Sequence, residues 1–73
     1  LCLTSMTSLK YSYRLTNREL DILYLMLKNG MTNEEIANYL FISVATVKRH
    51  ISTAYQKLGI NNQKQLLTLL KII

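Results

Sequence analysis

Apolar side chains recur three or four positions apart along most of the chain, with polar residues between them. This spacing is typical of amphipathic helices that each bury one face. Thr16 and Thr32 each precede an apolar run and have a glutamate three residues further on, the pattern of a capping box at a helix N terminus. Gly30 and Gly59 suit helix ends, and Asn61 suits the start of a last helix. The pattern predicts an all-α fold, a four-helix bundle with helices near residues 17–29, 33–40, 44–58 and 62–71.

The second and third predicted helices lie very close together in the chain. Ser43 is a suitable N-cap for the third helix, so only residues 41–43 separate the two. Two helices joined by so tight a turn form a helix-turn-helix. Residues 1–14 show no sustained period, and we interpret them as a linker or N-terminal arm in which Tyr11 or Tyr13 caps the core. The domain itself is expected over residues 15–73.

The third predicted helix has two different faces. One narrow stripe, which we predict to be buried, holds the apolar residues Val47, Ile51, Ala54 and Leu58. The opposite side holds Ala45, Arg49, Ser52 and Gln56, flanked by Lys48 and Thr46. Small side chains let a helix enter a groove, and Arg and Gln can reach the edges of nucleic-acid bases. Lys48 and Thr46 are suited to phosphate oxygens.

Charge is distributed unevenly along the 73 residues, whose formal net charge is +5. Residues 1–35 carry four cations and four acids, whereas residues 36–73 carry five cations and no acid. Positive charge confined to one half favours a polyanion, either nucleic acid or an anionic membrane surface. A polar outer face on one helix is most often plain solvated surface, but the tight turn and this charge distribution together favour nucleic acid.

Composition excludes several other classes of function. The chain is 49% hydrophobic, so it is a folded domain, and it has no room for a deep cleft on a separate scaffold. We expect no enzyme, because neither a nucleophile–base pair nor a carboxylate pair is present. A single Cys2 and a single His50 give no internal disulfide and no metal or cofactor site. No apolar run has the length of a membrane span, and we expect no membrane contact by this segment and a cytoplasmic location.

Five short motifs occur in a fixed order and resemble the LuxR-type (GerE-like) DNA-binding domain. They are LTNREL, GMTNEEIA, LFIS, TVKRHI and KLGI, and they run from Leu15 to Ile60 within a resemblance that reaches about Leu67. The resemblance implies a four-helix domain that binds duplex DNA with its third helix in the major groove. It also implies a homodimer through the fourth helix, and the C-terminal output unit of a longer bacterial transcription regulator.

The resemblance also implies roles for individual residues. Base contacts are expected from Ala45, Arg49 and Ser52. Phosphate contacts are expected from Thr32, Asn33, Thr46, Lys48, Gln56 and Lys57. Leu67 and Leu69 are expected at the dimer interface, and RNA polymerase is a candidate partner. The stretch NNQKQ lacks the Arg that many family members carry near Gln63, which weakens a phosphate contact at the start of the fourth helix.

Two alternatives stay open at this point. A promoter-binding domain like sigma-factor region 4 shares the LT-x-RE opening and a helix-turn-helix. A small helical protein-interaction or membrane-surface module would explain the dense leucines of the fourth helix. Salt-dependent binding to duplex DNA without binding to anionic vesicles would separate DNA binding from the second alternative.

Overall fold

The computed structural model of the protein describes residues 11–72, and these residues form helices and turns without a strand. The main helices are α1 (Asn17–Lys28), α2 (Asn33–Leu40), α3 (Val44–Leu58) and α4 (Gln63–Ile72). The all-α prediction is confirmed, and each of the four predicted helices is found within a residue of its expected bounds. Residues 11–13 are helical as well, in a stretch where no sequence period predicted a helix.

Capping boxes fix the N termini of α1 and α2, as the sequence predicted. The Thr16 hydroxyl accepts from the Glu19 amide at 3.1 Å, and the Thr16 amide donates to the Glu19 carboxylate at 2.8 Å. Thr32 and Glu35 make the same pair of bonds. The Thr32 hydroxyl accepts from the Glu35 amide at 3.2 Å, and the Thr32 amide donates to the Glu35 carboxylate at 2.9 Å. Each box satisfies backbone amides that have no partner within the helix, and so sets where the helix begins.

The turn between α2 and α3 is closed by an unusual residue. Phe41 adopts the left-handed conformation, with φ of 58°, and its side chain is 94% exposed. The Ile42 amide donates to the Ala37 carbonyl at 3.0 Å, which ends α2. The Ser43 hydroxyl then accepts from the Thr46 amide at 3.1 Å and starts α3. Only residues 41–43 therefore separate α2 from α3, which is the short turn that a helix-turn-helix requires.

The start of α4 differs from the prediction by one residue. Asn62, not Asn61, occupies the N-cap position, and its side-chain carbonyl accepts from the Gln65 amide at 2.9 Å. The Asn61 amide donates instead to the Gln65 side chain at 2.6 Å. Two adjacent asparagines can both cap a helix, so composition alone could not choose between them.

Two clusters of buried side chains make up the core. The first cluster consists of Leu15, Leu23, Ala54, Leu58 and Leu66. The second cluster consists of Ile22, Leu25, Ile36, Ala37 and Val47. Both α1 and α3 contribute to each cluster, whereas α2 enters only the second and α4 only the first. The first cluster is also partly covered by Tyr13, in agreement with its predicted capping role.

The predicted buried stripe of α3 is confirmed at three of four positions. Val47 and Ala54 are fully buried and Leu58 nearly so. Ile51 is only partly buried, because it lies at the edge of the second cluster and also lines an open groove beside α3. The helical phase assigned from the sequence is therefore correct, with Ile51 at the boundary between core and surface.

Candidate nucleic-acid interface

The outer face of α3 is open to solvent over its whole length. The residues that the sequence placed there are exposed, namely Ala45, Arg49, Ser52 and Gln56, and so is Lys48 beside them. The 15 residues of α3 form a rod of roughly 22 Å, at about 1.5 Å per residue. Its exposed side alternates small side chains with long polar ones. This shape fits the major groove of duplex DNA, which is about 12 Å wide and admits one helix.

The hydroxyl of Thr46 belongs to the cap that starts α3. It lies 2.8 Å from the Ser43 hydroxyl, and the Thr46 amide donates to the same Ser43 oxygen. Thr46 is therefore held in one position beside the outer face. Thr32 is held similarly at the start of α2 by its capping box with Glu35. Both predicted phosphate residues thus lie at helix N termini, where the helix dipole favours an anion.

An open groove of about 420 Å³ runs along one side of α3, between α2 and the loop before α4. Its polar lining consists of Asn33, Lys48, Ser52, Tyr55, Gln56 and Asn61. Three residues predicted to bind phosphate, which are Asn33, Lys48 and Gln56, thus meet in one groove although two helices supply them. Tyr55 and Asn61 were missed by the sequence interpretation. No periodic signal could have found them, since Tyr55 lies at the edge of the buried stripe and Asn61 lies in a loop.

Burial changes the acidity of one of these residues. Tyr55 is partly buried and packs against the first cluster. Desolvation by burial raises the pKa of Tyr55 above its ordinary value of 10.0. The phenol therefore stays protonated, and it can serve as a hydrogen-bond donor at any physiological pH.

Lys57 makes a different contact from the one expected of a phosphate-binding residue. Its ammonium lies 2.8 Å from the Glu19 carboxylate and donates to the Arg14 carbonyl at 3.2 Å. Glu19 is only 2% exposed, so the pair ties the C-terminal end of α3 to the start of α1. A phosphate contact by Lys57 stays a prediction, but the ammonium already has two acceptors within the domain.

The Glu19 carboxylate is ionised despite its burial. Burial by itself raises the pKa of Glu19, but the hydrogen bonds from Lys57 and Thr16 and the charge of Lys57 outweigh burial. The net result is a pKa below the ordinary value of 4.5. This pair has no signal in the sequence, because the two residues lie far apart in the chain and Glu19 already has a role in the capping box.

The leucines of α4 divide between the core and the surface. Leu66 is fully buried in the first cluster. Leu69 is partly buried and packs against that cluster, and it also lines an open groove on the surface. Leu67 is 37% exposed. Both residues therefore keep some exposed surface, and a dimer contact by them stays a prediction.

Within residues 11–72, no helix is long and apolar enough to cross a membrane. The same residues contain no group of three or more His, Cys, Asp or Glu side chains placed to hold a metal ion.

The helix-turn-helix class is defined by two helices joined by a short turn, the second of which presents an exposed face to DNA. This all-helical domain has that arrangement, with a three-residue turn and an exposed, cationic face on α3. Within this class, the chain belongs to the luxR family of bacterial regulatory proteins, whose GerE model matches residues 13–70. This family supplies DNA-binding domains to transcription regulators. The resemblance stated from the motifs is thereby confirmed.

The chain is similar in sequence to segments of several bacterial proteins. The chain is 47% identical over 51 residues to the spore germination protein GerE of Bacillus subtilis (strain 168), a match that covers 70% of this chain and 68% of GerE. It is also 47% identical over 51 residues to the transcriptional regulatory protein LiaR of the same organism, covering 70% of this chain and 24% of LiaR. The transcriptional regulatory protein DegU of Brevibacillus brevis is 43% identical over 51 residues, covering 70% of this chain and 21% of DegU. The matched segment is thus about a quarter or less of LiaR and DegU. No solved structure matches the chain.

Proposed function

We propose that this domain binds duplex DNA in a sequence-specific manner, as the output unit of a bacterial transcription regulator, and that α3 lies in the major groove. The observation that carries the proposal is the exposed face of α3, where Arg49 stands between the small residues Ala45 and Ser52 with Lys48 beside them. Because the opposite stripe of α3 is anchored in both core clusters, this face is presented rigidly.

The residues at the centre of the exposed face of α3 would read the base sequence of the DNA. Ala45 and Ser52 lie about two turns apart along α3 and keep the helix surface low, so that the backbone can approach the base pairs. Arg49 lies between them and has the planar, two-pronged donor geometry that matches the O6 and N7 acceptors of guanine. We therefore assign base contacts to Ala45, Arg49 and Ser52, with Arg49 as the main discriminating residue.

Position on the DNA would be fixed by the flanks of the face. Lys48, Asn33 and Gln56 line the groove on one side of α3. Thr32 and Thr46 lie at the N termini of α2 and α3, which present partial positive charge to an anion. Contacts of this kind hold the register of a protein on duplex DNA and contribute most of the salt-dependent affinity.

Two copies would bind together through α4. Leu67 is an exposed apolar residue on α4, and a two-fold contact there would place two α3 helices on half-sites about one DNA turn, or roughly 34 Å, apart. A patch around one leucine gives weak association by itself, so DNA would bring the two copies together.

The test compares Arg49→Ala with Lys48→Ala on two duplexes, one selected from a random pool by the wild-type chain and one unselected. Arg49→Ala should lose about 1–3 kcal/mol of the preference for the selected duplex, the range for one bidentate base contact. Lys48→Ala should weaken both duplexes alike and reduce the slope of log K against log salt by about one. Lys28→Ala, an exposed cation at the end of α1, is the matched control and should change neither quantity.

Three results would contradict the proposal. Absence of any salt-dependent binding by the wild-type chain would exclude DNA as the ligand. Equal weakening of both duplexes by Arg49→Ala would show that Arg49 contacts phosphate and does not read bases. Binding to anionic vesicles in place of duplex DNA would favour the membrane-surface alternative.

A further inference from the structure

The groove beside α3 contains a side chain that the predicted contacts do not use. Tyr55 lines this groove together with Lys48 and Ser52 of the same helix. Tyr55 is partly buried and packs against the first core cluster. A groove wall fixed by the core is better suited to a defined contact than an exposed side chain on a flexible stem.

The hydroxyl of Tyr55 is available. No hydrogen bond to it is found from any residue in the part of the chain that the structure describes, 11–72. Within the same residues, no buried side-chain nitrogen or oxygen lacks a hydrogen-bond partner. A hydroxyl without a partner is therefore not a buried one, so the Tyr55 oxygen reaches solvent although the residue as a whole is partly buried.

The surroundings of this hydroxyl suit an anion. Lys48 supplies a full positive charge to the groove, and Asn33 and Gln56 add side-chain amides that can donate hydrogen bonds. Among residues 11–72, no acid lines the groove. The phenol keeps its proton, since burial raises the pKa of Tyr55. A neutral donor beside a cation is a frequent arrangement at the phosphate oxygens of DNA, which accept from tyrosine as well as from lysine.

We propose that Tyr55 is a phosphate-positioning residue, and that its hydroxyl donates a hydrogen bond to a backbone phosphate of duplex DNA bound in this groove beside Lys48. The inference rests on the proposed function, because it takes duplex DNA as the ligand of the α3 face. It adds a fixed, uncharged donor to a set of predicted phosphate contacts that otherwise come from flexible or helix-terminal groups. Such a contact sets the depth and rotation of α3 in the major groove of the DNA without reading any base.

The experiment uses Tyr55→Phe, which removes only the hydroxyl and leaves the ring in the core. Binding of the 73-residue chain to a random-sequence 24-base-pair duplex is measured by fluorescence anisotropy at several salt concentrations. Tyr55→Phe should weaken binding about tenfold, the effect of one hydrogen bond to a charged acceptor. Its salt slope should equal that of the wild type, because an uncharged donor releases no counterion. Lys48→Ala in the same assay should lower the slope by about one.

Tyr24→Phe is the matched control. Tyr24 is also partly buried against the first cluster, but it lies on α1 and does not line the groove. Its variant should bind duplex DNA as the wild type does. Thermal melting of both variants should stay within a degree or two of the wild type, since neither hydroxyl has a partner inside the described part of the domain.

The outcomes separate the two proposals. If Tyr55→Phe binds as tightly as Tyr24→Phe while Lys48→Ala is weakened, the role of Tyr55 is wrong and the proposed function stands. If the wild-type chain shows no salt-dependent binding to the duplex, the proposed function itself fails. A marked loss of thermal stability in Tyr55→Phe alone would make the hydroxyl a structural group and would overturn its assignment to phosphate.

Discussion

The ion pair between the buried Glu19 and the partly exposed Lys57 gives the sharpest test of how this small domain is held together. Lys57→Met keeps most of the length of the aliphatic chain but removes the ammonium. The Glu19 carboxylate then loses a partner at 2.8 Å while its bonds to the capping threonine remain, and the Arg14 carbonyl loses a donor at 3.2 Å. The substitution therefore leaves a charge with 3% side-chain exposure without its counter-charge.

The expected cost follows from the burial of the two partners. Removing one member of a fully buried pair costs about 3–5 kcal/mol. The Lys57 side chain is 32% exposed, so water can reach the vacated position and partly solvate the carboxylate. We therefore expect a lower value, about 2–3 kcal/mol of unfolding free energy. In a domain of this size that loss lowers the melting temperature by roughly 10–20 °C.

The effect should depend on pH in a defined direction. In the wild type, Glu19 has a folded pKa below 4.5, so its contribution to stability is complete above the unfolded pKa and is lost as pH falls through the folded pKa. Without Lys57, burial is opposed only by Thr16, and the folded pKa of Glu19 must lie higher than in the wild type. As the pH falls, the buried Glu19 carboxylate is therefore protonated at a higher pH in Lys57→Met than in the wild type, and its unpaired charge is removed. The stability difference between the two proteins should be largest at neutral pH and should narrow on acidification.

Thermal melts followed by circular dichroism from about pH 7 to about pH 3.5 would measure this difference, and subtracting variant from wild type cancels the other titrating groups. Lys64→Met is the matched control, because Lys64 is an exposed lysine on α4 without an ion pair among the described residues. It should change stability by less than about 0.5 kcal/mol. A deficit for Lys57→Met that stays constant across the pH range would refute the reasoning, since the cost would then come from packing and not from the unpaired charge.

Two further predictions concern the surface. Leu67→Glu should abolish two-copy binding to a symmetric duplex in a gel-shift titration and keep single half-site binding. Leu69→Glu should in addition lower the melting temperature, because Leu69 packs on the core. Unchanged two-copy binding by Leu67→Glu would place the dimer contact elsewhere. Phe41→Gly should stabilise the fold by about 0.5–1 kcal/mol in thermal melts, because the left-handed strain of a non-glycine residue exceeds the entropy cost of glycine. A lower melting temperature for Phe41→Gly would show that the exposed ring contributes a stabilising contact.

Local signals in the sequence were sufficient for the helices and for the exposed face. Thr16 and Thr32 bond to the glutamates three residues on, so each helix start was readable from four adjacent residues. The stripe centred on Val47 fixed the phase of α3, and the phase in turn put Arg49 on the outside. These features depend on residues that are close together in the chain, so they can be predicted from the sequence alone.

Features that depend on distant residues could not be predicted in this way. Lys57 is predicted to bind phosphate, yet its ammonium has a carboxylate partner on α1. Tyr55 lies at the edge of the helical stripe, so its place in a groove depends on where α2 and the loop before α4 pack. The left-handed Phe41 carries no sequence signal either, because glycine or asparagine is the residue usually found in that conformation.

The division of the core into two clusters has a mechanical consequence for α3. Val47 anchors the first half of the helix in the cluster that contains α2, while Ala54 and Leu58 anchor its second half in the cluster that contains α4. The helix is therefore a rod clamped at two points by two different supports. Beside these two supports, α1 contributes to both clusters and holds the C-terminal end of α3 through the Glu19–Lys57 pair. A displacement of α4 alone would therefore leave α3 held along its length by α1.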